Sequence, residues 1–436
     1  MSNKIHKIGL LGLGVIGTEI AKFIITNPSN NKFLTSQNVV LSKILVKDIE
    51  KKRSFQVNRS VLTTNPEDII ADPDISIIIE VLGGQDPAAS LIKQALIKKK
   101  HVITANKEVV AHHWTEILKL AQENKVNLLF EASVGAGIPA IGIINNELAA
   151  NNISSIDGIL NGTTNYILSS MNNHKISFLK ALKQAQDLGY AEPDPHNDIS
   201  GKDSLYKINI LANLAFNGNI PLNKIYIEGI EDLNNKDFQY AKELGFNIKL
   251  IANATRITAN PSMLQISVYP KLIPHNNILS NVNDAYNAIL FKGNPVGNIL
   301  VHGKGAGPDS TTSAIAGNLI HILQKMNTHQ PPDTLNIQKQ SIKIQSISKL
   351  ETKYYLRLQV TDRPGVLAQL ATILGNNEIS ISSVIQKDSN SKNKTAELVI
   401  LTHIAIEQNI QNALEKLKNI DSIRKINSII RVADLE

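Results

Sequence analysis

Residues 7–17 read KIGLLGLGVIG. The first half is a short apolar run. The second half, Gly12-Leu13-Gly14-Val15-Ile16-Gly17, has G-x-G-x-x-G spacing and opens onto the apolar-periodic segment Thr18–Ile25. Strand, tight turn and helix in that order is the context a dinucleotide fingerprint requires. Gly12 permits the turn, Gly14 lets the backbone approach a pyrophosphate, and Gly17 lets helix pack closely on strand. The N–H groups at the helix start then face the phosphates.

Working outward, Val39–Val46, Ile75–Leu82, His101–Thr104 and Asn127–Phe130 read as further strands, with helices over Pro87–Lys99 and Val109–Glu123. The run ISIIIEVL is apolar almost throughout, as a strand covered on both faces should be. Strands alternating with helices predict a doubly wound parallel sheet of the Rossmann type, with ligands beyond the strand carboxyl ends. Gly83-Gly84, Asn106-Lys107 and Glu131–Ile138 fall at those ends. The second strand runs out as LVKDIEKKR. Asp48 could take the ribose hydroxyls of NAD, whereas Lys47, Lys51, Lys52 and Arg53 favour the extra phosphate of NADP. A solvated basic loop fits the same residues, so NADP is preferred and NAD stays open.

Residues 1–150 are thus expected to form the nucleotide-binding domain. Residues 151–325 change to α+β character, with strand-like pieces at Ile156–Leu160, Met263–Tyr269 and Ala288–Phe291 and helices at Phe178–Leu188 and Asp203–Phe216. Within them His302-Gly303-Lys304-Gly305-Ala306-Gly307 precedes an apolar helix, Thr311–Gln324. This second glycine loop either closes over the cofactor, through Gly307, or merely turns the chain; the 303–325 segment is expected to complete the nucleotide domain. Residues 327–349 are polar and contain prolines, and a linker is expected over about 326–350. Residues 351–436 then repeat strand–helix–strand–strand–helix–strand: Tyr354–Val360, Val366–Asn376, Ile379–Gln386, Ala396–Thr402, Ile406–Lys418 and Ile423–Ile430. That order is ferredoxin-like.

The totals narrow the function. A chain of 436 residues is long enough for two or three domains. Its net charge of +7 comes without an arginine-rich block, an aromatic RNA motif or a zinc pattern, so nucleic acid is not expected as a partner. No apolar run reaches the ~18 residues of a membrane span. Absence of cysteine excludes disulfides and thiol nucleophiles and fits a reducing, cytoplasmic setting. The eleven histidines show no metal-ligand spacing.

Against that positive charge, EPDPHNDISGKDSLYK (192–207) concentrates Glu192, Asp194, Asp198 and Asp203 before Lys207. Asp203 and Lys207, four apart, share a helix face about 6 Å apart along the axis. An exposed ion pair fits this spacing. So does a working lysine, because the helix continues as the apolar run INILANLAF, and a lysine bordering a buried face needs a partner or a task.

FEASVGAGIP (130–139), LNGTTNYIL (160–168), GYAEPDP (189–195) and the D-x-x-x-K at 203–207 occur together, with TANKE (104–108) and GKGAGPDSTTSA (303–314). Over residues 5–325 the chain resembles homoserine dehydrogenases, and the last 80 residues or so, with Asp362-Arg363-Pro364-Gly365 between strand and helix, resemble an ACT domain. The resemblance implies NAD(P)H-dependent reduction of L-aspartate 4-semialdehyde to L-homoserine. It makes Lys207 the proton donor and Asp203 its orienting group, with Lys107 beside the nicotinamide as a second candidate. Glu192 and Asp198 are the matching positions for the substrate's ammonium. Glu131, Val134, Ala136 and Ile138 match a monovalent-cation loop, expected to hold Na⁺. Feedback by threonine at the Asp362–Gly365 turn and a homodimer or homotetramer follow from the same resemblance. Ser204-Leu205-Tyr206 depart from it, since small residues usually stand between that acid and lysine. A non-catalytic sensor is the competing class, and the intact Lys107, Glu192, Asp203 and Lys207 speak against it.

Overall fold

The structure is a computed structural model that describes residues 5–26, 38–333, 342–390 and 394–433. The chain divides into two compact units. One gathers Met1–Ile156, Tyr206–Leu222 and Ile289–Ile342; the other gathers Asp157–Leu205, Asn223–Ala288 and Lys343–Glu436.

In the first unit, β1 (Ile5–Leu11), β2 (Asn38–Leu45), β3 (Leu62–Thr63), β4 (Ile75–Glu80), β5 (His101–Thr104) and β6 (Leu128–Leu129) form a sheet in the order β3-β2-β1-β4-β5-β6. Every pairing is parallel. This is the doubly wound order, with its switch point at β1 and β4. Helix α1 (Val15–Thr26) lays Ile20 and Ile24 on the sheet. The same core takes Ile315, Leu319, Ile322 and Leu323 from a helix late in sequence, Pro308–Asn327. The helix expected over Val109–Glu123 is two: α2 (Lys107–His112) and α3 (Trp114–Asn124), broken at His113. Buried Trp114 seats edge-on against Phe130, 5.8 Å between ring centres, and the axis breaks just before it.

In the second unit the sheet is mixed. β9 (Phe246–Arg256) and β10 (Met263–Pro274) are antiparallel over their whole length. β10 then runs parallel to β18 (Ile423–Val432) at Lys271 and Leu272. From β18 the order continues through β14 (Glu351–Thr361) and β16 (Thr395–Thr402) to β15 (Ile381–Asn390), antiparallel throughout. With helices Val366–Asn376 and Glu407–Lys418, this is the ferredoxin-like arrangement. The C-terminal strands therefore extend the sheet of residues 246–274. Within the stretch expected as a linker, helix continues to Asn327 and Lys343–Ile344 pair with β10 as a short strand; residues 334–341 lie outside the described residues.

Two buried arginines tie the C-terminal strands to the rest of this unit. Arg357 on β14 is 2% exposed and grips both oxygens of Asp237 (2.7 and 3.2 Å) and Glu397 (2.9 Å). Asp237 sits in the first turn of a helix, Asn235–Glu243, where it completes a capping box with Asn234. Arg431 on β18 grips Glu407 with two nitrogens and Glu228 with a third, and lies over Tyr226 and Tyr269. Such pairs offset their desolvation only when the geometry is good and the remaining valences are filled. Removing one partner strands the other. Arg357→Met is therefore expected to lower unfolding stability by about 3–5 kcal/mol, and Arg357→Lys to recover only part of it because lysine cannot bind both oxygens. Urea titration of the full chain measures this; an unshifted midpoint would refute it.

Candidate active site

The turn between β1 and α1 fits a nucleotide. Gly12 has φ +107°, which L side chains resist. A Cβ at Gly17 would lie 2.1 Å from the Gly12 carbonyl oxygen, so helix and strand approach as closely as glycine allows. At Gly14 a Cβ would meet nothing within 4 Å, leaving backbone open to a ligand. Val15, first in the helix, is exposed, and the leading N–H groups of a helix have no intrahelical acceptor. Leu13 and Ile16 pack against the core below.

Beyond β2, Lys47, Lys51 and Lys52 are exposed. The Asp48 carboxylate accepts from the Glu50 N–H, an Asx-type turn. Arg53 donates to the carbonyls of Lys51 and Asp48, and its buried Nε has no hydrogen-bond partner.

At the ends of β4 and β5 lies a network that the sequence reading did not assign. Thr104 donates to buried Glu80 at 2.5 Å, and Glu80 also accepts from the Leu82 N–H. Burial pushes the Glu80 carboxyl up, against these hydrogen bonds. Asn106 receives Val109 N–H as N-cap of α2 and donates to the Gly84 carbonyl at 2.7 Å. Gly83 and Gly84 both have positive φ and open surroundings. Lys107 is the first residue of α2, where a cation opposes the helix dipole. At the other end of α2, His112 lies 5.5 Å from the ring of Tyr206. Burial raises the Tyr206 phenol, Glu108 raises it further, and Lys107 pulls it down. Helix α6 (Lys202–Ala215) thus meets α2 at the residue before Lys207.

Both oxygens of Glu131 accept backbone N–H groups, from Ile141 and Gly142, at 2.8 Å each. Burial raises its carboxyl and these N–H groups oppose the rise. Val134, Ala136 and Ile138 are buried in the loop that follows, where Ala136 has φ +48°. Gly303 packs on Ile138, and Gly137 on Ser310 just past Gly307, which caps helix Pro308–Asn327 at φ +115°. Among the described residues no three His, Cys, Asp or Glu side chains gather as a metal site, so a cation in this loop would rest chiefly on backbone oxygens.

In the second unit the acids are organised by Asn161, which the sequence reading quoted within a motif but gave no task. Its side-chain oxygen accepts from the Thr164 N–H and so caps α4 (Gly162–His174). Its amide nitrogen donates to Asp198 at 2.7 Å and to Asp203 at 2.9 Å. Asp198 lies on α5 (His196–Ile199); Asp203 is in the first turn of α6, and buried Lys207 follows one turn later on the same helix. α4 also places the GYAEPDP loop: Thr163 donates to the Tyr190 carbonyl and Tyr166 packs on Tyr190 at 5.1 Å. Glu192 is exposed on that loop, and the Asp194 carboxylate accepts from the His196 N–H. Leu205 is buried.

Residues 12–131 match the family described as homoserine dehydrogenase, NAD binding domain; residues 139–320 match homoserine dehydrogenase, and 354–422 match the ACT domain. A homoserine dehydrogenase of Synechocystis is 39% identical, over 98% of this chain and 99% of that protein. One of Bacillus subtilis is 34% identical, over 98% of each. The crystal structure of a homoserine dehydrogenase from Thiobacillus denitrificans is similar with a TM-score of 0.90 at 36% identity, covering 99% of each chain.

α4 is braced from below by Lys249, whose ammonium donates to Asn165, Asn283 and the Val282 carbonyl. Burial pulls its pKa from 10.5 down to about 8. Between those values the unfolded chain holds a proton the folded chain has released, so stability rises with pH across that window. Below it, the buried charge costs up to about 3 kcal/mol. Lys249→Met is expected to flatten the rise in denaturation midpoint between these pH values; an unchanged slope would assign the titration elsewhere.

Proposed function

The chain belongs to the homoserine dehydrogenase family, an oxidoreductase with a nicotinamide cofactor and a C-terminal ACT domain, and we propose how its residues divide the work. The observation that carries this reading is the Asn161 amide holding Asp198 together with Asp203, which lies one turn before Lys207.

We propose that L-aspartate 4-semialdehyde is reduced to L-homoserine. The cofactor, when bound, supplies the hydride. An aldehyde that gains hydride becomes an alkoxide and needs a proton. The Lys207 ammonium stabilises that oxygen and donates. Asp203, a turn earlier, orients the ammonium, and the Asn161 amide donates to both Asp203 and Asp198. Asp198 and Glu192 receive the substrate's ammonium. Lys107, at the start of α2, serves the nicotinamide side and is the second proton-transfer candidate.

NADP is the preferred cofactor. The turned-in Asp48 carboxylate, the three exposed lysines and the unpartnered Arg53 Nε support a 2′-phosphate there. Gly12–Gly17, Lys47, Gly83 and Gly307 line the cofactor in this reading. A monovalent cation at Val134, Ala136 and Ile138, with Glu131 fixing the loop, is part of it. So are the domain layout of nucleotide, substrate and ACT segments, a homodimer or homotetramer in the cytoplasm, and a role in threonine, methionine and isoleucine synthesis. Threonine feedback at Asp362–Gly365 is supported by the left-handed Gly365 at the helix start. Among the described residues no helix is long and apolar enough to cross a membrane.

The test is oxidation of NADPH by aspartate semialdehyde. Lys207→Ala should lower kcat by about 10²–10⁴ with little change in KM. NADH should serve less well, and a Lys47→Glu variant should narrow the difference. Absence of turnover with both cofactors would sink the reading.

A further inference from the structure

β10 is paired along its outer edge in three places, the first with Lys343–Ile344 at Met263 and Leu264, and a gap separates the other two. Ser267 and Val268 pair with the short strand Tyr226–Ile227; Lys271 and Leu272 pair with β18. Between them lie Tyr269 and Pro270, and proline offers no N–H to a partner strand. At this gap a cleft of about 500 Å³ opens between residues 226–234 and β18. β18 is bulged there. Arg357 pairs with Ser428 but Leu358 pairs with Ile426, leaving Asn427 as the extra residue. Bulges re-aim side chains and recur beside ligand sites.

The lining carries both charges. Glu228 and Asp232 come from one segment, Lys425 and Asn427 from the other, with Pro270 and Ile429 as apolar surface. Arg431 lies at the base, its charge already answered by Glu407 and Glu228. Carboxylates on one segment and an ammonium with an amide on the other suit a small zwitterion. Its ammonium would meet Glu228 and Asp232, and its carboxylate Lys425 and the Asn427 amide.

The wall of this cleft is also the backing of the substrate acids. A Cβ at Gly229 would lie 2.5 Å from the Ile199 carbonyl oxygen, and Ile230 N–H donates to that same oxygen at 2.9 Å. Ile199 follows Asp198 directly. A ligand drawing on Glu228 thus pulls on a segment that is hydrogen-bonded to the turn carrying Asp198.

We propose that the cleft between residues 226–234 and β18 binds a free α-amino acid, at residues distinct from the Asp362–Gly365 turn, and that the ligand acts on the Asp198 turn through Glu228–Ile230. The regulatory consequence rests on the reading above; the binding does not, and is tested first. Isothermal titration of the full chain with L-threonine, L-homoserine, L-aspartate and L-lysine should show saturable binding of at least one. N-acetylation of that amino acid should abolish binding. Lys425→Glu and Asp232→Lys, both at exposed side chains, should weaken it at least tenfold, and Asn427→Ala more modestly. Arg363→Ala should leave it unchanged. The bound amino acid should alter KM for the semialdehyde more than KM for NADPH. No binding by any of the four would overturn the proposal. So would binding that survives both charge reversals but is lost in Arg363→Ala.

Discussion

Two carboxylates held in one small volume repel each other, and one of them protonates unless a donor intervenes. Here one side-chain amide donates to both. Asn161 spends one face on the start of α4 and the other on Asp198 and Asp203. Three helices therefore take their positions from one residue: α4 starts at it, α5 hangs on Asp198, and α6 begins under Asp203. The amide is neutral and adds no charge of its own to the pair. A lysine or arginine in its place would neutralise the site it is meant to organise.

The nucleotide side obeys a different constraint, close approach of backbone. Gly17 against the Gly12 carbonyl leaves no space for a side chain, while Gly14 faces open space. The first glycine pair fixes the turn and the second position keeps it accessible. Around that turn, Glu80, Thr104 and Asn106 link the ends of neighbouring strands to the Gly83–Gly84 loop by hydrogen bonds. Buried Glu80 is a costly way to shape a loop, and its burial is tolerated only because its oxygens are occupied.

Most of the architecture was legible from the chain. The parallel sheet followed from the apolar run at 75–80 and from glycine spacing, and the last 80 residues announced their order through clean periodicity. Signals failed where tertiary contacts overrule local preference. α4, GTTNYILSSMNNH, is rich in Thr, Asn and Ser and has weak intrinsic helicity; its cap and its packing hold it. β9 hides a buried lysine in its middle, which breaks a strand's apolar pattern. The acids and the lysine of the candidate site stand out by spacing. Asn161 does not, because it lies 37 and 42 residues from its two partners. The polar stretch after residue 327 read as a linker, yet two of its residues join β10, and two residues carry no periodicity to find.

The C-terminal strands share a sheet with β9 and β10, and that limits how the chain can be cut. A protease or an engineer who removes residues after 350 takes away β18, the strand that covers the edge of β10 away from β9 at Lys271 and Leu272. Asp237 loses Arg357, while Tyr226 and Tyr269 lose the guanidinium that covers them. What remains is a bare sheet edge beside a carboxyl group stripped of its guanidinium, a surface prone to pair with another copy of itself. In this chain the ACT domain is thus also masonry. A shorter version must be built by redesigning 226–240 and 269–272 for water, not by deletion.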